Sequence, residues 1–245
     1  MANKSLQYDQ RATLSPPDTG SDYTINSSVF DQDNVPSPFA TSASPGYGKL
    51  KRALDIFGAC IGLFLLMPLL LATAVAVKAT SRGSVIFRQE RHGLNGDVFT
   101  IYKFRTMYTD LGDGSGVAQT VCGDPRITRV GAFLRRSNLD ELPQLVNVLK
   151  GEMSLVGPRP HVPGMLAAGR AYEEFDSRYM CRHRVRPGIT GLAQVNGCRG
   201  ETADPLSARK RLEFDLEYLE KQSLLLDLKI IAQTIFCEFF HGNGY

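Results

Sequence analysis

Two acidic side chains stand side by side in Leu139-Asp140-Glu141-Leu142-Pro143-Gln144, framed by apolar residues and followed by a proline. Three chemistries fit such a pair. Asn138 as a helix cap would put Glu141 at the third helical position, the spacing of a capping box, with Asp140 merely favouring the positive helix end. Alternatively the pair holds a metal ion, or one member is a nucleophile. Neighbours on a helix point roughly 100° apart, so one can cap while the other faces outward. Pro143 disturbs the first turn, and a helix start with spare N–H groups suits a phosphate.

The surroundings favour phosphate. Arg135 and Arg136 lie just upstream, and Arg159 stands between Pro158 and Pro160 in Gly157-Pro158-Arg159-Pro160. An arginine with little freedom to wander meets phosphate oxygens well through both arms of its fork. Further on come Arg182-His183-Arg184-Val185-Arg186-Pro187-Gly188 and Gln194-Val195-Asn196-Gly197-Cys198-Arg199-Gly200-Glu201. One such arginine is a solvated surface residue. Several beside rigid Pro/Gly turns point to a phosphorylated substrate.

The elements that must position these residues follow a sharp change in character. Residues 1–48 are rich in Ser, Thr, Pro, Asp and Asn and read as a disordered tail with no secretory signal. They carry a net −3, which leaves +6 on the remainder of a chain whose total is +3. A basic body suits an anionic partner. Next, Ile56–Val77 runs for 22 residues without a charge, long enough to enter a bilayer. Pro68 sits near its middle and predicts a break or kink. Lys49, Lys51 and Arg52 precede the segment, and Lys78, Arg82, Arg88 and Arg91 follow it. A spanning helix concentrates Lys and Arg on one side, so basic residues at both ends predict a re-entrant hairpin over 49–80. Beyond it, residues 81–245 read as one folded domain.

Within that domain Ser84–Phe87 and Val98–Phe104 read as strands around a turn at Gly93–Gly96. The glycine-rich Leu111–Gly116 reads as a loop and 126–150 as a helix, with an apolar face from Leu139 to Leu149. Leu206–Phe240 reads as a long amphipathic helix stopping at Gly242. Its Leu- and Phe-rich half could pack on the core, rest on lipid or meet a second copy. The five cysteines share no C-x-x-C spacing and the four histidines are scattered, which predicts reduced thiols and no local zinc site. Tyr102-Lys103-Phe104-Arg105 is basic and aromatic but matches no nucleic-acid motif. With hydrophobic residues at 43% and charged residues at 22%, wholesale disorder is excluded.

At these residues the sequence resembles the bacterial sugar transferase family, monotopic polyprenyl-phosphate hexose-1-phosphate transferases. The resemblance runs from about Lys51 to the C-terminus. It rests on Phe87-Arg88-Gln89 with Arg91, Lys103-Phe104-Arg105-Thr106-Met107, Leu139 to Gln144, Met153 to Pro160, and Pro187 to Gly197. It implies a mostly helical α+β fold within the α/β class: a re-entrant membrane helix joined to a small cytoplasmic catalytic domain with amphipathic interfacial helices. It implies transfer of hexose-1-phosphate, glucose or galactose, from a UDP-sugar to undecaprenyl phosphate at the bacterial inner membrane, the first step of exopolysaccharide synthesis. Asp140 would be the nucleophile and the contact for Mg2+, with Glu141 assisting. Arg135 and Arg159 would bind phosphate or nucleotide, with Pro158, Gln194 and Arg199 as further substrate contacts. The Arg199-Gly200-Glu201-Thr202 run is similar to a subgroup that often transfers glucose-1-phosphate. Where many relatives have a multi-span N-terminal region, this chain reads as a short form. Gly83-Ser84-Val85 and the intervening Cys198 depart from the family pattern. A catalytically silent membrane scaffold is the competing expectation.

Overall fold

The structure is a computed structural model that describes residues 46–110, 123–200 and 202–240. Most of the expected tail, the loop Leu111–Gly116, Glu201 and the helix stop at Gly242 lie outside the described residues. The chain opens with a long helix, α1 (Tyr47–Thr80), then an antiparallel hairpin, β1 (Ile86–His92) and β2 (Val98–Phe104). Two short helices follow, α2 (Arg129–Arg136) and α3 (Gln144–Lys150), then the strand β3 (Ser154–Val156). A second small hairpin, β4 (Leu166–Ala167) with β5 (Arg170–Ala171), leads into α4 (Tyr172–Phe175). The strand β6 (Gly188–Thr190) precedes α5 (Leu192–Val195), α6 (Pro205–Lys221) and α7 (Leu224–Phe240). The mixed, largely helical character matches the α+β expectation.

The first hairpin pairs Ile86 with Phe104 through His92 with Val98. Asn95 and Gly96 take left-handed φ of 56° and 82° at its tip, conformations that Asn and Gly adopt most readily. The expected first strand, Ser84–Phe87, thus starts two residues later and runs to His92. β3 lies parallel to β6, with Ser154 opposite Gly188 and Val156 opposite Thr190. Added Cβ atoms on Gly188 and Gly191 would run into the Gly157 backbone, so glycine lets these two segments cross closely.

Two expected helices are each divided. Residues 126–150 break after α2 because Asn138 adopts a left-handed φ of 53°. A 3-10 turn, Leu139–Glu141, then bridges to α3, with Pro143 as its leading residue. Leu206–Phe240 divides at Gln222, whose ψ of 127° is extended, giving α6 and α7. Apolar periodicity runs across both breaks because the helices on either side of each bury apolar residues.

α1 begins at Tyr47, inside the expected tail, and its 34 residues span about 51 Å. Its first turns belong to the body. Tyr47 Oη and Lys51 Nζ both donate to Asp227 Oδ2 on α7 at 2.9 Å. Arg52 donates to the Val148 and Leu149 carbonyls at the end of α3, and Asp55 accepts from Ser154 Oγ and Leu155 N–H. Ala59 is fully buried against Ile101, Leu145, Val148 and Met153. At the other end Val77 packs on Phe104 and Leu134. Arg105 ties Ser81 and Ser84, just past the helix, to β2. The outer face, including Phe57, Phe64, Leu65, Leu71 and Val75, is exposed. By length and composition α1 is apolar enough to cross a membrane.

Helical conformation continues across Pro68. The proline removes one backbone hydrogen bond without ending the helix, so a break in helical conformation is not seen at this position.

Candidate active site

α2 ends at Ser137, and the left-handed Asn138 turns the chain so that the next residues lie beside β2. The capping-box reading fails here. Asn138 makes no side-chain cap, and the Glu141 carboxylate points across to other elements. Lys103 of β2 donates to Glu141 Oε1 at 2.7 Å. Arg159 places Nη1 on Oε2 at 2.9 Å and Nη2 on Oε1 at 2.5 Å, a two-armed grip. Burial would raise the Glu141 carboxyl, but the Arg159 and Lys103 charges and hydrogen bonds outweigh it and hold the group well below the ordinary range.

Asp140 is treated differently. Its carboxylate is buried, 8% exposed, and among the described residues no side chain or backbone group hydrogen-bonds to it. Burial, then the neighbouring Glu141 charge, raises its carboxyl to about 6, opposed by Lys103, Arg135 and Arg159. Two neighbouring carboxylates thus have opposite environments: one neutralised, the other uncommitted. Displaced environments of this kind mark candidate reacting groups.

The helix start beside the dyad has few backbone donors to spare. Glu141, Leu142, Leu145 and Val146 spend their N–H groups on carbonyls three residues back. Arg135, from the last turn of α2, lies near enough to act on the Asp140 charge, and its Nε donates to Thr106 Oγ1 at 2.8 Å. Pro158 contributes structure, its carbonyl accepting from Gly188 N–H at 2.9 Å. Gln194 and Arg199 meet each other: Arg199 Nε donates to the Gln194 carbonyl at 3.3 Å. The Gln194 amide donates to Ile189 O, leaving its buried Oε1 unpartnered. The hydrogen bonds of the dyad run instead to Lys103 and Arg159.

Four contributors had gone unrecognised as such. Lys103 clamps Glu141; burial, opposed by the Glu141 charge, lowers its ammonium below the ordinary value. Arg91, on β1, donates to Pro160 O at 3.2 Å and to Gln89. Arg182 and Asp215 form a buried ion pair behind Arg159. Asp215 falls in register with buried Ala208, Leu212 and Leu219 of α6, so a carboxylate on an apolar helical face was a visible signal.

Among the described residues no three His, Cys, Asp or Glu side chains gather as a metal cage. Glu141 is already occupied by two cations, which leaves Asp140 as the uncommitted carboxylate of the pair. One carboxylate fits Mg2+ carried mainly by substrate oxygens and water.

The bacterial sugar transferase family model matches residues 46–241. The chain is 53% identical over 196 residues, 80% of its length, to the exopolysaccharide production protein PSS of Rhizobium leguminosarum bv. phaseoli, of which it covers 98%. It is 45% identical over 231 residues to the UDP-glucose:undecaprenyl-phosphate glucose-1-phosphate transferase of Escherichia coli (strain K12). That match covers 94% of this chain and 49% of the relative, so the chain spans about half the length of that protein. It is also 45% identical over 196 residues to the UDP-N-acetylgalactosamine-undecaprenyl-phosphate N-acetylgalactosaminephosphotransferase of Aeromonas hydrophila, covering 78% of this chain and 44% of that one. The matched span takes in α1, the dyad and every cation around it, and the chain belongs to the bacterial sugar transferase family.

Proposed function

We propose that the chain transfers hexose-1-phosphate from a UDP-sugar to undecaprenyl phosphate at a membrane surface. The observation that carries this reading is the contrast within the dyad. Glu141 is held by Lys103 and Arg159, while Asp140 is uncommitted beside the same cations. In the first step an Asp140 carboxylate oxygen attacks the phosphorus bonded to the sugar. The bond to the UMP oxygen breaks, UMP leaves with the electron pair, and Asp140 carries the sugar phosphate as an acyl phosphate. In the second step an oxygen of undecaprenyl phosphate attacks the same phosphorus, giving undecaprenyl-diphosphate-sugar and regenerating the carboxylate. Dividing one transfer between two bulky substrates in this way is what nucleophilic catalysis provides.

Arg159 and Lys103 keep Glu141 ionised and in place. Arg135 and Arg159 supply positive charge where phosphate oxygens would gather. Mg2+, when bound at Asp140 and substrate oxygens, would offset diphosphate charge.

Glucose is the sugar proposed, because relatives 50% and 45% identical to this chain carry glucose in their names. The relative named for N-acetylgalactosamine shows that the shared motifs alone do not fix the sugar. The relative named for exopolysaccharide production supports a place at the start of polymer assembly. A re-entrant α1 is supported by its two ends, which both pack on one body. The exposed outer face between them then rests in the cytoplasmic leaflet of the inner membrane, with the catalytic body on the cytoplasmic side.

The test is UMP release from a panel of UDP-sugars with undecaprenyl phosphate and Mg2+. Release with UDP-glucose that vanishes in Asp140→Asn supports the reading. An Asp140→Asn protein working at the wild-type rate would sink the covalent mechanism, and no release with any sugar would favour a silent scaffold.

A further inference from the structure

The main chain that carries Arg159 is gripped from behind. Pro158 and Pro160 have no N–H groups to donate, so the stretch is held by its carbonyls. Gly188 N–H donates to Pro158 O at 2.9 Å, Arg182 Nη2 to Arg159 O at 2.7 Å, Arg91 Nη1 to Pro160 O at 3.2 Å and His92 N–H to His161 O at 2.9 Å. Four consecutive carbonyls are thus fixed by donors from β6, β1 and the 3-10 turn Tyr179–Arg184.

Arg182 is the most deeply placed of these donors. Its side chain is 1% exposed and that of Asp215 is 3% exposed. Nε and Nη2 of Arg182 both donate to Asp215 Oδ2, at 2.9 and 2.8 Å. The guanidinium also lies 5.6 Å from the centre of the Tyr179 ring. Among the described residues no hydrogen bond or ion pair joins this pair directly to Asp140 or Glu141. A buried ion pair is a poor source of net stability, because desolvation offsets the attraction. This pair does have a direction. Asp215 fixes the fork, and the donor shared with it ends on the carbonyl of the residue that neutralises Glu141.

Resting on the transfer reaction above, we propose that Arg182 and Asp215 are positioning residues for it. They set the Arg159 main chain so that its guanidinium meets Glu141 and faces the substrate phosphates. Displacement of a site group by about 1 Å is enough to cost on the order of a hundredfold in rate.

The experiment is a double-mutant cycle. Arg182→Met with Asp215→Leu removes both charges together, so neither member of the pair is left in the interior without the other. In the otherwise wild-type protein this double change is expected to lower UMP release roughly 30-fold. The same change in an Arg159→Ala background is expected to cost less than about 3-fold, because the residue acted upon is gone. Equal losses in the two backgrounds would overturn the proposal, since a purely structural role is blind to Arg159. Should the double change fail to fold, Arg182→Lys, which keeps the charge but loses the rigid fork, enters the same cycle with the same two outcomes.

A second readout needs no turnover. Thermal unfolding of Arg182→Lys, Glu141→Gln and their combination supports positioning if the shifts are non-additive, and overturns it if they simply add. A wild-type protein that releases no UMP with non-additive unfolding would sink the transfer reaction while leaving the positioning role standing.

Discussion

Two buried carboxylate clusters in this protein look alike and are built for different ends. Asp227, on α7, is fully buried and accepts from Tyr47 and Lys51 on Oδ2 and from Tyr218 on Oδ1. Each oxygen has a donor, and no second carboxylate stands beside it in sequence. Glu141 is satisfied in the same manner by Lys103 and Arg159, yet it adjoins Asp140, whose carboxylate accepts no hydrogen bond among the described residues. A saturated carboxylate holds elements together; an unsaturated one beside it is held ready. The difference is also one of access. The Lys51 and Asp227 side chains are 14% and 0% exposed, whereas the Arg159 side chain is 33% exposed.

The comparison breaks most decisively at Asp140. Asp140→Asn should reduce UMP release by at least about a thousandfold. It should also stabilise the protein. The folded carboxyl titrates near 6 against an ordinary 3.8, so ionisation is disfavoured in the folded state. Wild-type stability therefore falls as pH rises from about 4 to 6, and near pH 7 the variant should gain on the order of 2 kcal/mol. Melting temperatures at pH 4 and pH 7 check the sign: the gap opens only at the higher pH. A gap at both would show that burial does not strain Asp140.

Asp227→Ala should do the reverse. It strands the Lys51 ammonium and two tyrosine hydroxyls in a buried cluster, at a cost of about 3 kcal/mol in unfolding free energy. Activity per folded molecule should stay near wild type, because the cluster touches no dyad contact. Denaturant titration beside specific activity separates the two effects.

A smaller change is expected from Glu141→Gln. Wild-type activity should fall as pH drops through about 6, as Asp140 takes up a proton. Removing the Glu141 charge, which raises Asp140, while Lys103 and Arg159 remain should move this acid limb to lower pH. A limb that moves upward, or stays, would show that Glu141 does not act on Asp140 electrostatically. The mildest perturbations probe α1. Cysteines at the exposed Leu50 and Ala79, in a background lacking Cys60, should both react with an impermeant thiol reagent from the cytoplasmic side. Labelling from opposite sides would replace the re-entrant arrangement with a spanning one.

Much of the site was readable in linear order. Adjacent carboxylates, a proline-flanked arginine and a charge-free stretch of 22 residues are local patterns. They mark chemistry and environment before any folding is considered. The breaks inside 126–150 and 206–240 were not read, because hydrophobic periodicity reports which face is buried and passes smoothly over a turn such as Asn138 or Gln222. The continuity of the helix through Pro68 was likewise not legible. Proline removes one hydrogen bond, and flanking turns suffice to carry the helix onward.

The sequence by itself determined that a basic body follows a long apolar segment, and that an Asp-Glu pair lies among arginines set in rigid turns. These features depend on residue type and spacing alone. Only the tertiary structure decided which carboxylate is occupied. Lys103 lies 38 positions from Glu141 and Arg159 lies 18 away, and nothing in the linear pattern assigns either to one of two adjacent acids. That choice is made by the left-handed turn at Asn138 and by the grip on the Arg159 carbonyl. Electrostatic environment depends on distance through space, and distance through space is set by the fold.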